Sequence, residues 1–104
     1  MLPGGIEVDP SGAKPGEKVL VRYNGLLAQS GADQVYLHGG FGSGAWYDVL
    51  DVPMRRAMDG TWVAEVPMHP EADRFNFCFV DSADHWDNNS GSNWSVPLEE
   101  ERLW

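Results

Sequence analysis

The chain has 104 residues, 42% of them apolar, and a formal net charge of −9. That length suits one domain, able to bury a single core without staples. The charge argues against nucleic acid and anionic membranes, because phosphate binding needs clustered Lys and Arg; solubility and self-repulsion account for the acidity.

Twelve glycines and seven prolines require many short turns, hence strands rather than long helices. Ile6 and Val8 form a first alternating run within Gly4 to Pro10, ended by the turn signal Asp9-Pro10-Ser11-Gly12. Lys14-Pro15-Gly16 then leads into Lys18 to Tyr23, where Val19, Val21 and Tyr23 share one face. That is the period of a half-buried strand. Asp33 to His38 repeats the pattern with Val35 and Leu37 inward, so Tyr36 and His38 point outward and His38 falls at the strand's end. Gly39 to Gly44 reads as a glycine-rich loop ending at Trp46.

Pro53 to Met58 is the next predicted strand, closed by the hairpin dipeptide Asp59-Gly60. Thr61 to Met68 answers it, with Trp62, Ala64 and Val66 alternating against Val63 and Glu65. After a loop over His69 to Asp73, Arg74 to Val80 is the most apolar strand and is predicted to be central. Phe75, Phe77 and Phe79 line one of its faces. A long loop from Asp81 to Asn93 precedes a last strand, Trp94 to Pro97, and the charged tail 99–104 is expected to fray. About seven short strands at this spacing predict an all-β fold, an antiparallel immunoglobulin-like β-sandwich. It is read as a single domain over 1–104 with its core over 5–98.

The stretch His85-Trp86-Asp87-Asn88-Asn89-Ser90-Gly91-Ser92-Asn93-Trp94 is the most informative in the chain. Flat aromatic faces beside neutral amides suit a ligand with an apolar face and hydroxyl edges, and sugars fit that description. His38, Trp46, Trp86 and the pair Asn88-Asn89 all fall at strand ends or in loops, so they can converge on one surface. A ring covering about 50–80 Å² of sugar contributes roughly 1–2 kcal/mol. The competing reading is that both tryptophans cap the core. Trp62 alternates with core residues and is expected inside; Trp94 is compatible with either place, and Trp104 is uninformative.

Other constellations carry less. Asp81, Asp84 and Asp87 lack the alternation, central Gly and closing Glu of a calcium loop, so turn formation explains them better. The three histidines and lone cysteine show no zinc spacing, and Cys78 lies in an apolar run as a buried, inert thiol. Gly40-Phe41-Gly42 with Ala45 matches a dinucleotide fingerprint only in letters, since no helix follows. No metal or cofactor is expected. Carboxylates are plentiful, but so short a chain leaves little room for a deep cleft, and no nucleophile–base grouping stands out. The expectation is a non-catalytic protein.

The chain resembles the family-25 starch-binding modules and, more distantly, the related modules of plant starch synthases. The likeness rests on Val19 to Asn24, on Val35-Tyr36-Leu37-His38-Gly39-Gly40 with Trp46, and on Gly60 to Ala64. It continues through Phe75 to Asp81 and the more specific string Trp86-Asp87-Asn88-Asn89, Gly91, Asn93-Trp94. The resemblance implies a β-sandwich that binds α-1,4-linked glucans such as starch, maltooligosaccharides or glycogen. It implies a stacking platform of one histidine and two tryptophans, matching His38, Trp46 and Trp86, with polar help from Asn88 and Asn89. The implied partner besides the glucan is an amylolytic enzyme, fused or separate. With no leader pattern at Met1, the protein is expected in the cytoplasm if free-standing and outside the cell if excised from a secreted enzyme. The alternatives are a protein-interaction sandwich with its tryptophans as partner anchors, and a small glucan-acting enzyme.

Overall fold

Alternating apolar residues give each strand one face to bury, and two antiparallel sheets bury those faces against each other. The computed structural model describes residues 2–10 and 12–99. In chain order the elements are β1 (Ile6–Asp9), β2 (Lys18–Tyr23), α1 (Leu26–Gln29), β3 (Val35–Phe41) and β4 (Tyr47–Pro53). They continue with β5 (Arg55–Arg56), β6 (Trp62–Pro67), β7 (Arg74–Asp81), β8 (Trp86–Asp87) and β9 (Trp94–Pro97). One sheet runs β1-β2-β6-β5; the other runs β4-β3-β7, with β8 and β9 both paired to β7.

Val19, Val21 and Tyr23 of β2 and Ala64 and Val66 of β6 fill one side of the core. Val35 and Leu37 of β3 and Phe75, Phe77 and Phe79 of β7 fill the other. The rings of Tyr23 and Phe79 stack across the two sheets with centroids 4.0 Å apart. The all-β sandwich expected from the sequence is therefore the observed fold. Trp62 and Trp94 are both core residues, each 3% exposed, which resolves Trp94 to the inside. The Trp94 Nε1–H reaches the Pro3 carbonyl at 2.8 Å, so its polar edge is satisfied.

Several boundaries differ from those read in the sequence. The glycine-rich segment is not all loop: Gly39 and Gly40 belong to β3, which continues to Phe41 and leaves His38 in mid-strand rather than at its end. A Cβ on Gly39 would sit 2.9 Å from the Phe75 ring, so this glycine makes room for the core. β4, unread in the sequence, is an edge strand whose polar residues mask its alternation, and Pro53 is tolerated at such an edge. The strand expected over Pro53 to Met58 shrinks to Arg55–Arg56, paired with β6. Glu99, expected to fray, donates its N–H to the Ala13 carbonyl at 2.9 Å; the rest of the predicted tail, with Trp104, lies outside the described residues.

The long loop anticipated over 81–93 also contains structure. β8 descends beside the end of β7, with Val80 opposite Trp86 and Phe79 opposite Asp87. β9 continues the same descent, with Phe77 opposite Trp94. From Asp87 to Trp94 the descending chain advances seven positions while β7 advances two, so five surplus residues are extruded from the sheet edge. That extrusion is the amide-rich segment, and it turns through positive φ at Asn89, Ser90, Gly91 and Asn93. Asn tolerates the left-handed region better than most residues, so part of the amide richness serves the backbone.

β8 is held inward by one buried hydroxyl. Tyr23 Oη–H donates to Asp87 Oδ2 at 2.7 Å and accepts the Leu27 N–H at 2.9 Å, joining β2, α1 and β8. Burial, followed by the hydrogen bond to Asp87, holds the Tyr23 phenol well above its usual range, so it stays a donor. With Asp87 drawn in, the alternation of an extended strand turns Trp86 out. Tyr23→Phe is expected to cost about 1–3 kcal/mol of unfolding free energy in a denaturant titration, because both partners lose their hydrogen bond.

Candidate functional site

The outer face of the five-stranded sheet carries the site. Since Val35, Leu37 and Phe41 point into the core, Tyr36, His38 and Gly40 point out from β3. Across the sheet, Asp51, His38 and Cys78 lie in one row and Pro53, Tyr36, Val80 and Trp86 in the next. Trp86, 50% exposed, brings its ring to 5.5 Å from His38 in an edge-to-face arrangement of 87°. The Trp46 ring lies 6.0 Å from His38 on another side, tilted by 35°. Three of the five residues singled out in the sequence thus form one continuous aromatic array.

Each ring has a local cause. Trp46 lies against the backbone of Gly40, where an added Cβ would meet the Trp46 Cβ at 2.8 Å. Any side chain at Gly40 would therefore lift the indole off the strand. The loop that delivers Trp46 is tied down by a polar chain: Arg74 Nη1 donates to Ser95 Oγ, Ser95 Oγ–H to Asn76 Oδ1, and Asn76 Nδ2 to the Gly42 carbonyl. The Gly42 N–H returns to the Arg74 carbonyl at 3.1 Å.

His38 is oriented by Asp51, its partner on β4, through a 2.6 Å contact between Nδ1 and Oδ1. A carboxylate only accepts, so Nδ1 carries the hydrogen and Nε2 is left for a ligand. Asp51, Asn76 and Ser95 were not singled out in the sequence as site residues, and Gly40 was named only in the letters of a fingerprint and of a family motif. Their signal is pairing register, which a single strand's pattern does not contain.

Asn88 and Asn89 are not joined to the rings by any hydrogen bond among the described residues. They organise the extruded turn: Asn88 Oδ1 accepts the Gly91 N–H at 3.0 Å, and Asn89 Nδ2 donates to the Asn93 carbonyl at 3.0 Å. This leaves the Asn88 amide hydrogens as donors and the Asn89 Oδ1 as an acceptor. Asp81 is likewise a turn former, accepting the N–H groups of Ala83 and His85 at 3.0 and 2.8 Å. Those contacts, that of the His85 N–H foremost, hold its carboxyl below the usual carboxylate range. No group of side chains among the described residues is arranged to hold a metal ion.

Cys78 lies in the row of His38, on the outer side of β7, and is buried. Burial, reinforced by the negative charges of Asp51 and Asp87, pushes its thiol from 9.0 up to about 11. Such a shift lowers the thiolate fraction near neutral pH by about 100-fold. Iodoacetamide at pH 8 should therefore leave the folded protein unlabelled over times that fully label it in denaturant, as read by intact mass.

Comparison with known proteins gives the family. Residues 19–77 match the starch/carbohydrate-binding module (family 53). An α-amylase of Clostridium acetobutylicum is 31% identical over 91 residues, which make up 88% of this chain and 11% of that enzyme. The chain thus spans about 11% of the length of the curated relative it matches. The match to more than half of its residues, on the sandwich just described, makes this chain a member of the family-53 starch/carbohydrate-binding modules.

Proposed function

We propose that the module binds α-1,4-linked glucans, without acting on them, through His38, Trp46 and Trp86 on the outer face of the five-stranded sheet. Starch binding itself follows from membership of the family. The observation that carries the site assignment is the array of three rings with centroid steps of 5.5 and 6.0 Å and no common plane. A tilted, non-coplanar array suits a curved chain, the form that α-1,4 linkages give, rather than a flat β-1,4 ribbon. Asn88 and Asn89 supply a donor and an acceptor at the rim, and His38 Nε2 supplies a third polar contact. Tyr36, half-buried on the same face, adds a further edge.

Two or three stacked sugars, less the costs of association and ordering, correspond to a Kd of order 0.01–1 mM. The string from Trp86 to Trp94 lies beyond the matched residues 19–77 and supports a likeness to the family-25 modules as well. The kinship with an α-amylase supports a role as a targeting unit for an amylolytic enzyme, fused or separate. A protein-binding surface is the second reading, favoured by exposed Leu26, which lines a groove with Trp86.

Titration with maltoheptaose, followed by tryptophan fluorescence with cellohexaose as control, separates the two. Saturation by the α-linked sugar alone supports the proposal, and silence toward both sugars overturns it. Trp46→Ala and Trp86→Ala should each weaken binding by about 5–30-fold, the equivalent of one stacked sugar, with little change in Tm. Gly40→Ala should reproduce the Trp46→Ala loss with both tryptophans still present.

A further inference from the structure

Trp46 and Tyr47 are consecutive but rest on different supports. Trp46 lies over Gly40 on the platform, whereas a Cβ on Gly42 would sit 2.9 Å from Tyr47 Cε1. The Tyr47 ring turns toward the core residue Phe41, with centroids 6.3 Å apart, yet the residue stays 42% exposed. Its hydroxyl makes no hydrogen bond among the described residues.

His69 stands edge-on to Tyr47 at 5.4 Å and 89°, and it is locked from both sides. Its Nδ1 accepts the Glu71 N–H at 3.0 Å, which places its ring hydrogen on Nε2, 3.0 Å from Asp48 Oδ2. Asp48 sits at φ +49, in the left-handed region that Asp and Asn enter more readily than most residues. Three features of the platform recur here, though with one aromatic ring in place of two indoles. An aromatic ring packs on a glycine, a histidine meets an aromatic ring at right angles, and an aspartate of β4 orients that histidine.

We propose that Tyr47, His69 and Asp48 form a second, weaker α-glucan contact, fed by the same polymer as the platform. This rests on the platform reading, and it assigns a site that the platform does not contain. The carboxylates of Asp48 and Glu71, on a chain of net charge −9, exclude an anionic ligand. A neutral, hydroxyl-rich ligand satisfies the remaining polar groups: the Tyr47 hydroxyl and the second Asp48 oxygen. A polymer is the occupant because one long chain, or two chains on a granule, can reach both contacts of one module. Binding at both would raise retention on insoluble starch beyond that of either contact alone.

The test is an NMR titration with maltotriose that follows the indole signals of Trp46 and Trp86 and the ring signals of Tyr47 and His69. The expected result is two saturation curves, with the Tyr47–His69 set about 10–100-fold weaker, since one exposed ring replaces three. Tyr47→Ala should abolish the second set, leave the first within about two-fold, and cut retention on granular starch several-fold. Tyr47→Phe, which keeps the stacking face, should retain the second set. If the indoles respond while Tyr47 and His69 stay unmoved, the second contact is overturned and the platform stands. If neither set moves, the platform reading falls and takes the second contact with it. An equal response of the second set to cellotriose would overturn its assignment to α-glucans.

Discussion

Everything on the outer face of the five-stranded sheet is referred back to β7, a strand covered on both sides and paired on both edges. Its inward residues Phe75, Phe77 and Phe79 are fully buried against the opposite sheet. Its outward residues Asn76, Cys78 and Val80 are also nearly buried. An alternating strand ordinarily leaves its second face to water; here that face is roofed by the aromatic side chains of its neighbours. The roof is therefore not an ornament on a finished fold. It removes apolar surface of β7 from solvent and is in turn held in register by β7, through His38 on one side and Trp86 on the other.

Rigid support follows from that arrangement. Asn76 anchors the Trp46 loop through the Gly42 carbonyl, and β3 brings Gly40 beneath the indole. β8 is fixed from below by the hydroxyl of Tyr23, whose own ring stacks on Phe79 of β7. Side chains held in this way lose little freedom on contact with a ligand, and such preorganisation is what lets a shallow surface bind.

Much of this was legible in the sequence. The apolar alternation of β2, β3, β6 and β7 gave the sandwich, and the aromatic residues at His38, Trp46 and Trp86 do come together. What escaped were features decided by partners rather than by local pattern. β4 is polar and at an edge, so its pairing with β3 supplies the order that its own sequence does not announce. Gly39 and Gly40 resemble loop glycines until the Phe75 and Trp46 rings are seen to require them inside a strand. Tyr47 and His69, far apart in the chain, carry no shared motif; only the folded edge places them side by side. The asparagines illustrate the converse, since residues chosen as ligand groups also hold the left-handed turns of their own loop.

The extrusion between β8 and β9 gives the module a place to vary. Both flanking strands are locked to β7, and the sheet resumes its register immediately after the surplus residues. Lengthening or shortening this segment would cost the hydrogen bonds of its own turn and a closure entropy that grows slowly with length, but no contact of the core. The segment beside the ring array can thus be rebuilt through evolution, or by design, while the hydrophobic interior is left as it is.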